Sequence, residues 1–195
     1  MTGASWSDGE LVSRARRGEV EAYAQLVTRY QDYIYNAVVR LVSSEHEAED
    51  LAQEVFLKAY RGLREFRRDA TFKTWLYGIM LNTVRSHWRT RGRKPEAMSL
   101  DAEDADGNPT FDPPADTDDP VEGVIRADRI EIVRRAIGEL EEELREVIVL
   151  RDIQGLSYEE LADSLGLPIG TVKSRLFRAR GMLKNKVAPV LQEDA

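Results

Sequence analysis

The stretch from Ser157 to Arg180 most narrows what this chain can fold into, because it reads as two short helices joined by a tight turn. Ser157 is a good N-cap residue, and Glu160, three residues later, completes a capping box. Gly166 suits the left-handed position that ends a helix. We therefore predict a first helix that begins after Ser157 and ends at Gly166.

The second helix of this stretch has one apolar and one basic side. Pro168 and Gly170 favour a turn in which no helix continues, and Thr171 is placed to cap the helix that follows. Apolar residues at helical spacing predict a buried stripe, formed by Val172, Leu176, Ala179 and Leu183. Between Thr171 and Lys186 there are six basic residues and no acidic one.

A basic second helix on a small helical hairpin is typical of the helix-turn-helix, in which that helix enters the major groove of DNA. The alternative is an ordinary helical pair with a solvated basic face. Phe177 favours DNA, because an exposed ring among basic residues suits contact with a thymine methyl group or a sugar.

The composition excludes several kinds of site. The 195 residues suffice for one large or two small domains, with no cysteine and only two histidines, His46 and His87. Disulfides, thiolate metal sites and cysteine nucleophiles are excluded, and no metal or other cofactor is expected. The N-terminus is not a signal peptide, and no apolar run approaches the roughly 20 residues that span a bilayer. We expect a cytoplasmic protein without membrane insertion.

Charge is distributed unevenly, although the net charge is −7. From Arg61 to Lys94 there are ten basic and two acidic residues, a local net charge of +8. From Pro95 to Glu122 there are ten acidic residues and no basic one. The average charge would argue against binding to nucleic acid, but this asymmetry allows it.

Apolar residues at three-and-four spacing predict a helical first half. A short helix should end at Gly18, and a long one should run from Glu19 to Val42. The next helix should begin at Ser43 or Ser44. It should bury Ala48, Leu51, Ala52, Val55, Phe56, Ala59, Tyr60 and Leu63.

The outer side of this third helix carries Asp50, Gln53, Glu54, Leu57 and Lys58. It is an acidic surface with one apolar residue at its centre. Such a surface can dock a basic partner helix or face solvent, and the residues alone leave both interpretations open.

A fourth helix is expected from about Thr71 to Arg91. The residues expected to pack inward are Phe72, Trp75, Leu76, Ile79, Met80 and Thr83. The outward or polar positions are Lys73, Tyr77, Asn82, Arg85, Ser86 and Arg89. With Trp88 and the basic loop before the helix, they interleave aromatic and basic side chains, a pattern that suits single-stranded nucleic acid.

Residues 95–120 are rich in Asp, Pro and Gly and poor in large apolar groups, which predicts an extended linker. Beyond it, apolar residues favour two further helices with a break at Gly138. No strand-like alternation of useful length is present. The expected fold class is all-α: two small helical domains joined by a flexible acidic linker, with a helix-turn-helix in the C-terminal domain.

Three motifs in this order resemble the extracytoplasmic-function (ECF) group of RNA polymerase sigma factors. They comprise Ala48 to Tyr60, then Phe72 to Ile79 with Asn82 and Arg85, then Gly170 to Leu176. The resemblance covers about Leu11 to Arg93 and Arg126 to Pro189. It implies a region-2 domain over residues 1–94, a linker over 95–122 and a region-4 domain over 123–195. One departure is Leu140-Glu141, where the family often has Leu-Pro before a helix.

The resemblance implies a promoter-specificity subunit that is not an enzyme and that binds core RNA polymerase and promoter DNA. Residues matching the family's grip on the β′ clamp helices are Asp50, Gln53, Glu54 and Leu57. Residues matching its reading of the −10 element are Phe66, Lys73, Asn82, Arg85, Ser86 and Arg89. Phe66 and Asn82 would line a pocket for a base flipped from the non-template strand.

For the −35 element, the matching residues are Lys173, Ser174, Arg175, Phe177 and Arg178. The resemblance also implies that the second domain docks on the β flap, with no residues assigned to that contact, and that an anti-sigma factor holds the protein inactive. A stand-alone helix-turn-helix regulator would explain the C-terminal motif but not the aromatic and basic fourth helix. No nucleophile–base pair, metal cluster or glycine-rich phosphate loop supports an enzyme.

Overall fold

In the computed structural model, residues 6–42, 44–67, 70–92 and 120–193 are described, and every regular element among them is helical. The elements are α1 (Asp8–Arg16), α2 (Val20–Val42), α3 (Glu45–Gly62), α4 (Phe72–Arg91), α5 (Pro120–Gly138), α6 (Glu142–Ile148), a π-helical segment (Val149–Ile153), α7 (Tyr158–Leu165) and α8 (Ile169–Glu193). The predicted all-α fold class is confirmed. The predicted linker lies outside the described residues except for its last three positions.

Small polar residues cap three of the first four helices. Ser7 caps α1 in a complete capping box with Glu10, whose pKa is lowered first by the hydrogen bond from the Ser7 hydroxyl. Ser44 caps α3, as predicted, by accepting a hydrogen bond from the Glu47 backbone N–H. Thr71 caps α4 in the same way. Side-chain oxygens thus satisfy backbone donors that the first turn of a helix leaves open.

At the start of α3, Ser44 and Glu47 form only half of a capping box. Instead of turning back to Ser44, the Glu47 carboxylate accepts from Arg91 on α4, with an Nη1–Oε2 distance of 2.8 Å. A charge-assisted bond to a guanidinium is stronger than a bond to a neutral backbone N–H, which explains the choice. Glu47 thereby ties the start of α3 to the end of α4.

The first four helices form one packed group around α2. Helices α1 and α3 lie against α2, and α4 packs against both α2 and α3. The buried face of α2 includes Leu26, Ile34 and Leu41, none of which is measurably exposed. Burying such side chains contributes roughly 1.5–3 kcal/mol each relative to leaving them in water.

The last four helices form a second group around α8, which packs against α5, α6 and α7. Helix α5 ends at Gly138, the break predicted from the sequence. Helix α6 then begins after Glu141, which makes no side-chain capping bond. This uncapped helix start lies at Leu140-Glu141, where the related sequences often have Leu-Pro.

The two groups are in direct contact and share one hydrophobic core. Helix α4 packs against α7, and α2 packs against α5 and the π-helical segment. The division into two domains stays a prediction, because the buried residues of the two groups belong to one continuous core. Among the described residues, no helix combines the length and apolar character that crossing a bilayer requires.

Two tyrosines lie on the opposite side from the one predicted. Tyr77, expected to face outward, is only 1% exposed because α7 covers the side of α4 that the first group leaves free. Tyr60, expected in the buried stripe of α3, is 49% exposed. Its ring rests edge-on against Tyr23 at 4.9 Å between centroids, at the margin of the core.

Candidate nucleic-acid and partner interfaces

Helix α7 and the start of α8 form the helical hairpin expected from the sequence. Ser157 and Glu160 make the predicted capping box, with 2.8 Å between the Ser157 nitrogen and the Glu160 Oε2. Gly166 ends α7 with φ +67°, the left-handed conformation that glycine adopts without a Cβ penalty. The first helix of the hairpin is therefore confirmed.

The start predicted for α8 is wrong by three residues. The helix begins at Ile169, and the Thr171 backbone N–H donates to the Pro168 carbonyl at 2.9 Å, so Thr171 lies inside the first turn and is not its cap. Pro168 tolerates this place because a residue at a helix start needs no backbone donor of its own. Gly170 is helical and does not extend the turn.

The apolar and basic sides of α8 separate as predicted. Val172, Leu176 and Ala179 are buried, and Leu183 packs partly against the same core. Phe177, on the other side, is 83% exposed. The exposed ring therefore lies on the basic side of α8, where the predicted contact with DNA places it.

The residues predicted to contact the −35 element differ in how free they are. Lys173, Ser174, Phe177 and Arg178 are exposed. The Lys173 Nζ lies 5.5 Å from the Tyr158 ring centroid, which steadies its flexible chain. Arg178 makes no ion pair within the described part of the chain.

Two other arginines of α8 are held by carboxylates. Arg175, whose side chain is 19% exposed, pairs with Glu143 of α6 at 2.5 Å. Arg180 makes two bonds to Asp152, at 3.0 and 2.5 Å, and these bonds raise the pKa of its guanidinium. Charge on α8 is therefore divided between side chains that face water and side chains that already have partners.

Helix α4 presents a narrow polar strip formed by Asn82, Ser86 and Arg89, all exposed. Their spacing of four and three places them on one face. Lys73 is half-buried in the first turn of the helix. The strip is compatible with the predicted contact to single-stranded DNA.

Arg85 leaves this strip and turns toward α6. Its Nε and Nη2 donate to the two carboxylate oxygens of Glu146 at 2.6 and 2.7 Å. Glu146 is only 2% exposed, and the Arg85 side chain is 33% exposed. The hydrogen bonds to Glu146 are the main cause of a raised pKa at Arg85.

Phe66 does not line an open pocket in this arrangement. It is 6% exposed and lies 4.9 Å from Trp75 and 6.2 Å from Phe72, measured between ring centroids. These rings form an aromatic cluster that packs Phe66 against the start of α4. A base could reach Phe66 only if this cluster opened.

The acidic outer face of α3 is exposed as predicted. Asp50, Gln53, Glu54 and Leu57 are all exposed, and Leu57 reaches 57%. Glu54 pairs with Lys58 one turn along at 2.8 Å. This intrahelical pair is a surface interaction of small energy that a partner can replace.

A groove of about 710 Å³ runs beside this face between α2 and α3, and the sequence did not reveal it. Its lining comprises Tyr23, Val27, Gln31, Asp32, Tyr35, Glu49, Ala52, Gln53, Phe56, Leu57 and Tyr60. Burial and the nearby carboxylates of Glu45 and Glu49 raise the pKa of Tyr35. In the sequence, residues 31, 32 and 35 of α2 look like ordinary helix surface. Only the packing of α3 beside them shows that they line a groove.

Two family models match this chain. Residues 26–94 match Sigma-70 region 2, and residues 130–183 match Sigma-70, region 4. The chain is similar to the RNA polymerase sigma-H factor of Pseudomonas aeruginosa, with 41% identity over 186 residues, 95% of this chain and 96% of the relative. It is 40% identical to the ECF RNA polymerase sigma-E factor of Escherichia coli strain K12, over 95% of this chain and 97% of that one.

Two solved structures resemble the whole arrangement of helices. CnrH in complex with the cytosolic domain of CnrY has a TM-score of 0.66 and 27% identity, covering 96% of this chain and 99% of that one. The sigma factor RpoE in complex with the anti-sigma factor NepR from Bartonella quintana has a TM-score of 0.69 and 27% identity, covering 86% and 98%.

Proposed function

Because this chain belongs to the sigma-70 family and to its ECF group, we propose that it directs core RNA polymerase to promoters by reading a −10 and a −35 element. It contributes specificity, and RNA synthesis is carried out by the core enzyme, so the protein itself is not an enzyme. It works where the polymerase works, in the cytoplasm.

The observation that carries the DNA-binding part is the two-sided helix α8. Its apolar stripe is buried, whereas Lys173, Phe177 and Arg178 are exposed beside each other. We assign the −35 element to this face, with Ser174 and Arg175 at its edges. Arginine or lysine bonded to guanine provides base discrimination, while the remaining charges position the helix on phosphates.

We assign the −10 element to the strip on α4. Asn82 is exposed and can both donate to and accept from a base edge, which suits recognition of a flipped base. Lys73, Ser86 and Arg89 lie on the same helix to hold the phosphates. Phe66 can contact a base only after the aromatic cluster around it has opened. Arg85 can contact DNA only after its pair with Glu146 has separated.

We assign core polymerase to the acidic face of α3. Asp50, Gln53 and Glu54 surround the exposed Leu57, and the adjoining groove offers apolar surface from Phe56 and Tyr60. A basic partner helix with one apolar anchor fits this pattern, because buried anchors carry most of the energy in an interface. The β′ clamp helices are the proposed occupants.

An anti-sigma factor is the proposed regulator. RpoE from Bartonella quintana, which shares the fold, is in complex with the anti-sigma factor NepR. A partner of this kind would act by covering polymerase-binding surfaces on both groups of helices.

Run-off transcription tests the proposed function. Core polymerase with this protein should yield a transcript from a promoter found by genome-wide binding, and core polymerase alone should not. A gel shift of the same promoter duplex separates a sigma factor from a stand-alone regulator. Tight binding without core polymerase, together with no transcript in its presence, would reject the proposal.

A further inference from the structure

The contact between the two groups of helices contains polar bonds that join them directly. Besides the Arg85–Glu146 pair, the Tyr77 hydroxyl donates to the Gln154 Oε1 at 2.9 Å. The Ser164 hydroxyl donates to the Thr74 carbonyl at 3.2 Å. We call the Arg85–Glu146 pair together with these two bonds the docking contact.

The docking contact occupies a helix that is assigned to DNA. In Arg85, the planar fork that grips Glu146 is the one that would grip a phosphate, because carboxylates and phosphates accept from it in the same bidentate geometry. The same N–H groups cannot serve both partners at once. Glu146 therefore stands where a nucleic-acid phosphate would stand.

The same helix α6 also reaches the second DNA-reading surface. Glu143 lies one turn before Glu146 and pairs with Arg175 of α8 at 2.5 Å. One short acidic helix thus holds one arginine from each surface. Any polyanion that binds both surfaces competes with α6 twice.

The overall dimensions require the docked arrangement to open for promoter binding. About 25 base pairs separate a −10 from a −35 element, which is roughly 85 Å of B-form DNA. A compact chain of 195 residues has a radius of gyration of about 16 Å. Two reading helices joined through one core cannot reach both elements.

We propose that the docking contact is an autoinhibitory latch, in which Glu146 withholds Arg85 from DNA until the two groups of helices separate. The proposal rests on the assignment of Arg85 to DNA. On opening, both charges return to water, so the desolvation that formed the pair is recovered and the latch can be released. DNA and core polymerase favour the open form because only that form presents both surfaces at their working distance.

The absence of cysteine permits a direct measurement of opening. Gln25 on α2 and Asn185 on α8 are exposed and can be replaced by cysteine and labelled with spin probes. In the full chain we expect one narrow distance distribution. In the Glu146→Gln variant a longer and broader component should appear, with the closed-to-open ratio falling roughly tenfold or more.

Two further variants make the result specific. Among the described residues, the ion pairs of Glu131 are with Arg134 and Arg135 of its own helix, so Glu131→Gln should leave the distribution unchanged. Exchanging the charges, by Arg85→Glu together with Glu146→Arg, should restore the narrow component. Circular dichroism establishes that each variant is folded. If Glu146→Gln does not fold, the distance distributions of Arg85→Glu alone and of the charge-exchange variant test the latch.

Binding of a fluorescent oligo-dT single strand gives a second readout. The Glu146→Gln variant should bind it several-fold more tightly than the parent at the same salt concentration. A broad, long distance in the parent, or no change in Glu146→Gln, would overturn the latch whether or not the protein directs transcription. Opening without tighter DNA binding would overturn the competition for Arg85.

Discussion

At the residue scale, Arg178 is the most informative side chain on α8, because it is exposed and makes no ion pair within the described residues. Arg178→Ala should weaken −35 recognition by the polymerase complex by about 1–3 kcal/mol if the guanidinium contacts a base. Competition between promoters with intact and altered −35 elements measures this loss.

Lys184→Ala provides the matched control for Arg178, since Lys184 is an exposed cation on the same helix outside the assigned set. It should change promoter preference little. Equal effects of the two substitutions would indicate that Arg178 contributes only general charge, and unchanged preference in Arg178→Ala would remove it from the reading set.

Buried tyrosines make a different prediction, about alkaline pH. Burial is the largest cause of the raised pKa of Tyr23, Tyr30 and Tyr77, and at Tyr30 the hydrogen bond to Asp8 raises it further. A raised folded-state pKa means that the full stability is present below the unfolded value of about 10 and is lost as pH rises beyond it.

Tyr30→Phe tests this reasoning. At neutral pH it should lower the free energy of unfolding by about 0.5–1.5 kcal/mol, because the bond to Asp8 is lost. Above about pH 10 its stability should fall less steeply than that of the parent, as urea unfolding at several pH values would measure. Tyr33→Phe, at a half-exposed ring, is the control, and an identical pH slope in Tyr30→Phe and parent would contradict the assignment.

At the scale of elements, α4 faces the end of α7 at Gly78. A Cβ at this position would meet the Ser164 carbonyl oxygen at 3.7 Å, an ordinary contact. Gly78→Ala should therefore keep the two helices together and stabilise the protein by up to about 0.8–1.0 kcal/mol through the better helix propensity of alanine. Gly78→Trp should instead force α7 away and lower the thermal midpoint.

Thermal unfolding of both variants, followed by circular dichroism, checks the prediction. Because tryptophan extends far beyond Cβ, the opposite signs of the two shifts would identify the space beside Gly78 as the limiting feature. A destabilised Gly78→Ala would show that α4 and α7 lie closer in solution than the distance to Ser164 indicates.

The sequence predicted elements well where local chemistry decided them. Ser157 with Glu160, and Ser44, marked helix starts through capping, and Gly166 marked a helix end through its left-handed backbone. These features depend on a few neighbouring residues. Pro168 led to a wrong start for α8, because proline is compatible both with a turn and with the first turn of a helix. The alternatives differ only in how the following three residues hydrogen-bond.

The burial of α4 could not be read from its own residues. Tyr77 and Arg85 look like polar surface because each carries a polar group, yet each finds its partner on another element, Gln154 and Glu146 respectively. These partners lie 77 and 61 residues further along the chain. Periodicity reports which side of a helix is apolar, but not that a second element covers a polar side.

At the scale of the whole molecule, one core spans both groups of helices, and this predicts linked unfolding. All three tryptophans, Trp6, Trp75 and Trp88, lie in the first group, so their fluorescence reports mainly on that group. Trp88 also reports on the contact between the groups, because the Arg145 guanidinium of α6 lies 5.8 Å from its ring centroid. Circular dichroism reports on both. In the parent protein the two signals should change together, as expected of one cooperative unit.

A substitution in the second group then distinguishes a shared core from two independent ones. Leu176 is 2% exposed on α8, which packs against α5, α6 and α7. Leu176→Ala should cost about 2–5 kcal/mol through lost burial and the cavity left behind. If the core is shared, the tryptophan transition in the first group shifts to lower denaturant together with the dichroism transition. The control Lys184→Ala, at an exposed position, should shift neither the tryptophan transition nor the dichroism transition. If in Leu176→Ala the tryptophan midpoint stays in place while the dichroism transition splits into two steps, the two groups unfold independently.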